Sequence, residues 1–125
     1  MKFTQRWFSI SLLVLLAALL VAGPIYAALG QVEGMFPAGG SHNTITEGGS
    51  FDVYVQVDKD GVTDGADQGE GIECYLHWGK VDYFGGPWTT ILDTPMTYNT
   101  DIGDNDEYMT TIAPAAGLYE FTAYC

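Results

Sequence analysis

Between residues 51 and 57 the chain alternates without a break: Phe51, Val53, Val55 and Val57 fall on one side, Asp52, Tyr54 and Gln56 on the other. A period of two over this length predicts a half-buried β-strand. The alternation returns at Ile72–Gly79, with Ile72, Cys74, Leu76 and Trp78 turned inward and Glu73, Tyr75 and His77 outward. Further strands are predicted at Trp88–Leu92, in a short segment Met96–Asn99, at Glu107–Ala113 and at Leu118–Cys125. Turn-forming sequence separates them: the Asp- and Gly-rich stretch Asp58–Gly71, the Gly85-Gly86-Pro87 turn, the acidic loop Thr100–Asp106 and the tight turn Pro114–Gly117. Residues 28–49 are rich in glycine and small polar residues and read as a linker with one edge strand at Asn43–Thr46. Nothing after residue 27 has a helical period, so the pattern predicts an all-β, antiparallel sandwich over residues 50–125.

The chain's two cysteines sharpen this picture, because Cys74 and Cys125 lie at matching depths of two predicted strands. If these strands pair antiparallel with Cys74 facing Cys125, Leu76 meets Ala123 and Trp78 meets Phe121 on the inner face, while Tyr75 meets Tyr124 outside. A slip of one residue would reverse every one of these positions. A disulfide is therefore expected; two buried thiols are the competing reading.

Charge and the first residues bear on location. Lys2 and Arg6 precede an apolar run from Ile10 to Ala22, followed by Gly23-Pro24 and the small-residue end Ile25-Tyr26-Ala27. This is the pattern of a signal-peptide helix over residues 1–27, an uncleaved anchor being the alternative. Its removal leaves only Lys59 and Lys80 against all 16 acidic residues. Such a surface repels nucleic acid and anionic lipid. A secreted, extracellular protein that keeps no membrane attachment after cleavage is expected, in a compartment where cysteines pair.

Laid on the immunoglobulin-like pattern, Gly117 and Tyr119 precede the sixth strand's buried position, which makes Tyr119 the corner tyrosine with its hydroxyl on nearby backbone. Phe121 takes the slot where an antibody domain has cysteine, and Trp78 lies on the strand that carries the core tryptophan. Since the sequence stops within the sixth strand, an immunoglobulin-like sandwich lacking its last strand is expected.

The series Gly71-Ile72-x-Cys74-x-Leu76-x-Trp78-Gly79, Gly85-Gly86-x-Trp88, Asn105-Asp106-Glu107-Tyr108 and Tyr119-Glu120-Phe121-Thr122-Ala123-Tyr124-Cys125 resembles a β-sandwich module of secreted multidomain bacterial proteins. Among those are extracellular glycoside hydrolases of the amylase and pullulanase type. The resemblance covers about residues 50–125. It implies further domains downstream in the same polypeptide, a non-catalytic accessory task beside a hydrolase, and a starch-like glucan as partner. It carries no catalytic residue onto this chain.

Two groups of residues invite a ligand. Tyr83, Phe84 and Trp88 surround the Gly-Gly-Pro turn and suit an aromatic platform for a sugar ring; the plainer reading has Trp88 inward and the other two covering the open end of the sandwich. Asn99, Asp101, Asp104, Asp106 and Glu107 gather oxygen donors of the kind calcium takes, against the reading of a solvated acidic turn. The loop with Asp58, Asp60, Asp64, Asp67 and Glu70 departs from EF-hand spacing. His42 and His77 form no zinc pattern with the cysteines, and no serine sits in a nucleophile elbow. The expected function is spacing, positioning or weak glycan binding without catalysis and without a required cofactor. The alternative is an assembly module whose open sheet edge is completed by a strand from another chain.

Overall fold

The computed structural model describes residues 30–125, so the expected signal peptide at residues 1–27 lies outside the described residues. Six antiparallel strands form one sheet: β1 (Gln31–Phe36), β2 (Phe51–Asp58), β3 (Cys74–Val81), β4 (Thr89–Ile102), β5 (Asn105–Ile112) and β6 (Leu118–Tyr124), in the order β1-β2-β5-β4-β3-β6. No helix among the described residues is long and apolar enough to cross a membrane. The long strand β4 makes the sheet curl, because its first half pairs with β3 and its second half with β5. The curl brings both halves around a single core, in which Val53, Val55 and Val57 of β2 meet Cys74 and Leu76 of β3, Met96 of β4 and Tyr108 of β5.

The expected register of β3 and β6 is present, with Tyr75 opposite Tyr124, Leu76 opposite Ala123 and Trp78 opposite Phe121. Cys74 and Cys125 form a disulfide one residue beyond the last of these pairs, their α-carbons 4.0 Å apart. Trp78 lies half-buried at the edge of the core, and its indole Nε1 donates to Thr94 Oγ1 at 2.9 Å. Tyr119 packs its ring against Trp78 with centroids 5.5 Å apart; among the described residues its hydroxyl makes no hydrogen bond to backbone.

Three expected elements differ. Asn43–Thr46 is not a strand; the first strand is Gln31–Phe36, which pairs with β2 through a bulge between Glu33 and Phe36. Gly34 adopts φ +58° there, a conformation that glycine takes at no steric cost and that breaks the alternation of its neighbours. The expected segments Trp88–Leu92 and Met96–Asn99 are joined, Trp88 apart, in one 14-residue strand, Thr89–Ile102, that continues through Pro95. Along this half β4 pairs, among the described residues, with β3 alone, and such an edge position is where a strand tolerates proline. The acidic loop expected at Thr100–Asp106 shrinks to a two-residue turn between paired Ile102 and Asn105, with Gly103 at φ +68° in the first central position as a type II′ turn needs.

The disulfide closes a loop spanning 51 residues, which the loop-entropy account values at about 4 kcal/mol. The Cys74→Ser/Cys125→Ser double variant is therefore expected to lose about that much in denaturant unfolding. A loss below about 1 kcal/mol would show that the strand register alone holds this part of the sheet.

Candidate functional site

The outer face of β4, β3 and β6 carries a connected group of aromatic and acidic side chains. Alternation along β3 turns Tyr75, His77 and Gly79 outward, and the register sets Tyr124, Thr122 and Glu120 of β6 beside them. Tyr75 and Tyr124 stack with centroids 5.5 Å apart and an interplanar angle of 20°. His77 meets the edge of Tyr124 at 6.4 Å and stacks on Trp88 at 5.4 Å, so four rings form one continuous row. Asp93 on β4 holds His77, with Oδ1 2.7 Å from Nδ1.

Trp88 precedes β4, and its place on this face depends on a missing side chain. A β-carbon at Gly79 would stand 3.1 Å from Cε3 and 3.2 Å from Cβ of Trp88, so the indole occupies the slot that glycine leaves. From there Nε1 donates to Glu120 Oε2 at 2.8 Å, while the Gly85 amide donates to Oε1 at 2.5 Å. These two donors, the Gly85 amide first, hold the Glu120 carboxyl below the usual glutamate range. Burial and the nearby Asp93 carboxylate push the Tyr124 phenol up.

The three residues expected to make a sugar platform take separate places. Trp88 joins the outer row rather than packing inward. Phe84 is 53% exposed at the second position of the tight turn Tyr83–Gly86, closed by the Gly86 amide on the Tyr83 carbonyl at 2.9 Å, with Gly85 at φ +76°. Its ring lies flat on His42, centroids 4.2 Å apart. Tyr83 is 63% exposed beside them. Sequence reading placed Tyr75, His77 and Tyr124 on a shared outer face but missed Asp93 and Glu120, which the alternation of β4 and β6 could have supplied.

The five oxygen-rich residues considered for calcium are divided by the strand pleat. Asn99 Nδ2 donates to Glu107 Oε1 at 2.7 Å on the exposed side. Asp101 accepts from the Tyr98 hydroxyl at 2.7 Å and from the Asp67 amide at 3.2 Å. The Tyr98 phenol is pushed up from 10.0 to about 12, first by that bond to Asp101, then by burial and by the charges of Asp101, Asp106 and Asp67. Asp104 contributes its carbonyl, which accepts from the Thr63 hydroxyl at 2.8 Å. Asp106 points inward, fully buried, and its Oδ2 accepts from the Gly69 amide at 2.7 Å while Oδ1 has no partner among the described residues. Among the described residues no three His, Cys, Asp or Glu side chains are grouped so as to hold a metal ion.

The loop 58–71 is thereby fastened to the sheet at several points. Thr63 is fully buried and Gln68 Nε2 donates to the Tyr108 hydroxyl at 3.3 Å, while the bond from the Gly61 amide to Asp64 Oδ2 at 2.8 Å lies within the loop itself. Burial raises the Tyr108 phenol, against the lowering effect of Gln68, and the Asp106 charge adds to the rise. Asp106 is the central attachment, since it takes a loop amide into the interior.

Asp106→Ala, which leaves the Gly69 amide without an acceptor, is expected to cost about 2 kcal/mol and to open loop 58–71 to proteolysis, whereas Asp106→Asn keeps an acceptor and costs less. Equal effects of the two substitutions would dismiss the anchoring role. The stabilisation from the Glu120 carboxylate is complete above the ordinary glutamate range and is lost as pH falls through its lowered value. Trp88→Phe keeps a ring and removes the donor, so the Glu120 midpoint measured by NMR should rise part of the way, the Gly85 bond remaining. Comparison of the chain with family models, with curated proteins and with solved structures gives no match, which leaves the chemistry of its own surfaces as the ground for assigning a function.

Proposed function

We propose that this protein is a secreted, non-catalytic accessory module that binds a neutral glycan weakly on the outer face of β4, β3 and β6. The observation that carries this reading is the placement of Tyr75, Tyr124, His77 and Trp88 in one row, with Asp93 and Glu120 among them, all but Trp88 on paired strands. Aromatic rings supply apolar surface for the faces of sugar rings, and carboxylates accept from sugar hydroxyls. Tyr124 is 47% exposed and His77 and Asp93 are partly exposed, so the row is open to a ligand laid across it.

The excess of acidic residues directs the choice of ligand. Among the described residues sixteen acidic side chains against Lys59 and Lys80 disfavour nucleic acid, anionic lipid and acidic polysaccharides, and leave an uncharged chain such as a starch-like glucan. Secretion is supported by the disulfide, which suits an oxidising compartment, and by the leader-like first 27 residues.

The fold belongs to the same proposal. An immunoglobulin-like sandwich has its first, second, fifth and fourth strands in one layer, which is the neighbourhood β1-β2-β5-β4. Its third and sixth strands pair in the other layer, as β3 and β6 do. On this reading β4 serves both layers, and the module would sit beside a catalytic domain of the same polypeptide.

In affinity electrophoresis the protein is expected to be retarded by soluble starch and not by polygalacturonate. The Tyr124→Ala and His77→Ala variants, which leave the inner face intact, should lose at least threefold in retardation. Unchanged migration of the wild-type protein in starch, cellulose derivatives and xylan alike would refute the glycan reading.

A further inference from the structure

Asp101 and Asp106 are direct partners in the β4–β5 ladder, so their side chains leave the sheet on the same side and stand next to each other. Two acidic groups placed in this way repel whenever both are ionised. No basic side chain relieves them, since the one ion pair among the described residues is that of His77 with Asp93, where β3 meets the first half of β4.

Loop 58–71 crosses both carboxyl groups within three residues: the Asp67 amide donates to Asp101 Oδ2 at 3.2 Å and the Gly69 amide to Asp106 Oδ2 at 2.7 Å. The Tyr98 hydroxyl donates to Asp101 Oδ1 at 2.7 Å. That bond first, then burial and the charges of Asp101, Asp106 and Asp67, push the Tyr98 phenol up, so the carboxyls gather around one hydroxyl. These donors leave one oxygen out. Asp106 is fully buried, and its Oδ1 has no partner among the described residues. A buried carboxyl oxygen without a donor is an exception that an ion or an ordered water accounts for in a native structure.

Charge and donor type narrow the choice. No group of three His, Cys, Asp or Glu side chains is placed to hold a metal among the described residues, so an ion here would have two carboxylates and otherwise neutral oxygens. The Val62 carbonyl is one such oxygen: it and Asp106 Oδ2 lie 3.0 and 3.1 Å from the point where a β-carbon on Gly69 would stand. Two carboxylates balance a divalent charge. Calcium accepts an irregular shell that mixes carboxylates, carbonyls and water, whereas magnesium demands a near-octahedral one.

We propose that Asp101 and Asp106 hold a calcium ion against loop 58–71, with loop carbonyls and water completing its shell. Two charged ligands set the affinity near the weak end for calcium sites, about 10⁻⁴–10⁻³ M, as in extracellular modules. The ion would tie the loop to β4 and β5 more firmly than the two amide bonds do alone. This site lies on the other half of the sheet from the ring row and does not rest on the glycan reading.

The test titrates calcium chloride into the isotope-labelled protein and follows amide shifts by NMR, with magnesium chloride at the same ionic strength as control. Shifts are expected in residues 62–69 and 98–108, saturating at one ion per chain, with magnesium binding at least tenfold more weakly. At saturation the Asp67 and Gly69 amides should exchange with solvent at least tenfold more slowly. Asp101 is only partly buried, so the Asp101→Asn variant probes the site with little risk to folding; it should weaken calcium at least tenfold, while Asp52→Asn on β2 should leave the affinity unchanged. No shift up to about 10 mM calcium, well above the expected range, would overturn the proposal. Shifts that never saturate, or that Asp101→Asn leaves as they were, would reduce calcium to a counterion of the acidic surface and overturn it equally. Equal binding of magnesium would overturn the assignment to calcium.

Discussion

The pairing of β3 with β6 is the constraint on which the rest of the molecule depends, because one register sets both surfaces of this half of the sheet. Inward, it places Leu76 against Ala123 and Trp78 against Phe121, which closes the core from the side opposite β2. Outward, it places Tyr75 against Tyr124 and Gly79 against Glu120, which creates both the ring row and the slot that Trp88 occupies. The side-chain period of a strand is two, so a shift by one position would carry each set to the wrong side. The disulfide at the end of the ladder removes that freedom, since sulfur atoms joined at Cys74 and Cys125 tolerate a single register.

The other half of the sheet is organised around a buried carboxyl group, that of Asp106. Asp106 has no basic partner in the interior, and it sits opposite Asp101 in the β4–β5 ladder. A polar group in such a place costs desolvation that hydrogen bonds offset. Gly69 supplies one of them from a loop 37 residues upstream. This long contact fixes a segment whose glycines and aspartates have no apolar means of holding themselves, and Thr63, buried under the β4–β5 turn, completes the attachment.

Where the chain states its structure locally, the sequence could be read. Phe51–Val57 alternates cleanly because β2 lies in the middle of its neighbours, covered on one face along its whole length. The two cysteines added an independent mark for β3 and β6. β1 was illegible because Gly34 takes a bulge conformation that interrupts the period, and β4 because Pro95 resembles a stop while Ile91 and Leu92 are exposed. The outer site was legible in part: Tyr75, His77 and Tyr124 follow from alternation, but the position of Trp88 does not. Which side of the sheet that indole takes is decided by the absent side chain of Gly79 on a neighbouring strand, a fact no local pattern contains.

That glycine decides how much room the outer face of the sheet leaves for change. A single methyl group at position 79 would crowd the indole, 3.1 Å from Cε3, and the Thr89 carbonyl oxygen, 3.3 Å away, so that one of them must give by a few tenths of an ångström. Displacing the ring would strip Glu120 of one of its two donors and His77 of its stacking partner. The arrangement of the outer face thus leans on an atom that is not there: the closeness of indole to backbone at position 79 leaves only tenths of an ångström for any larger residue.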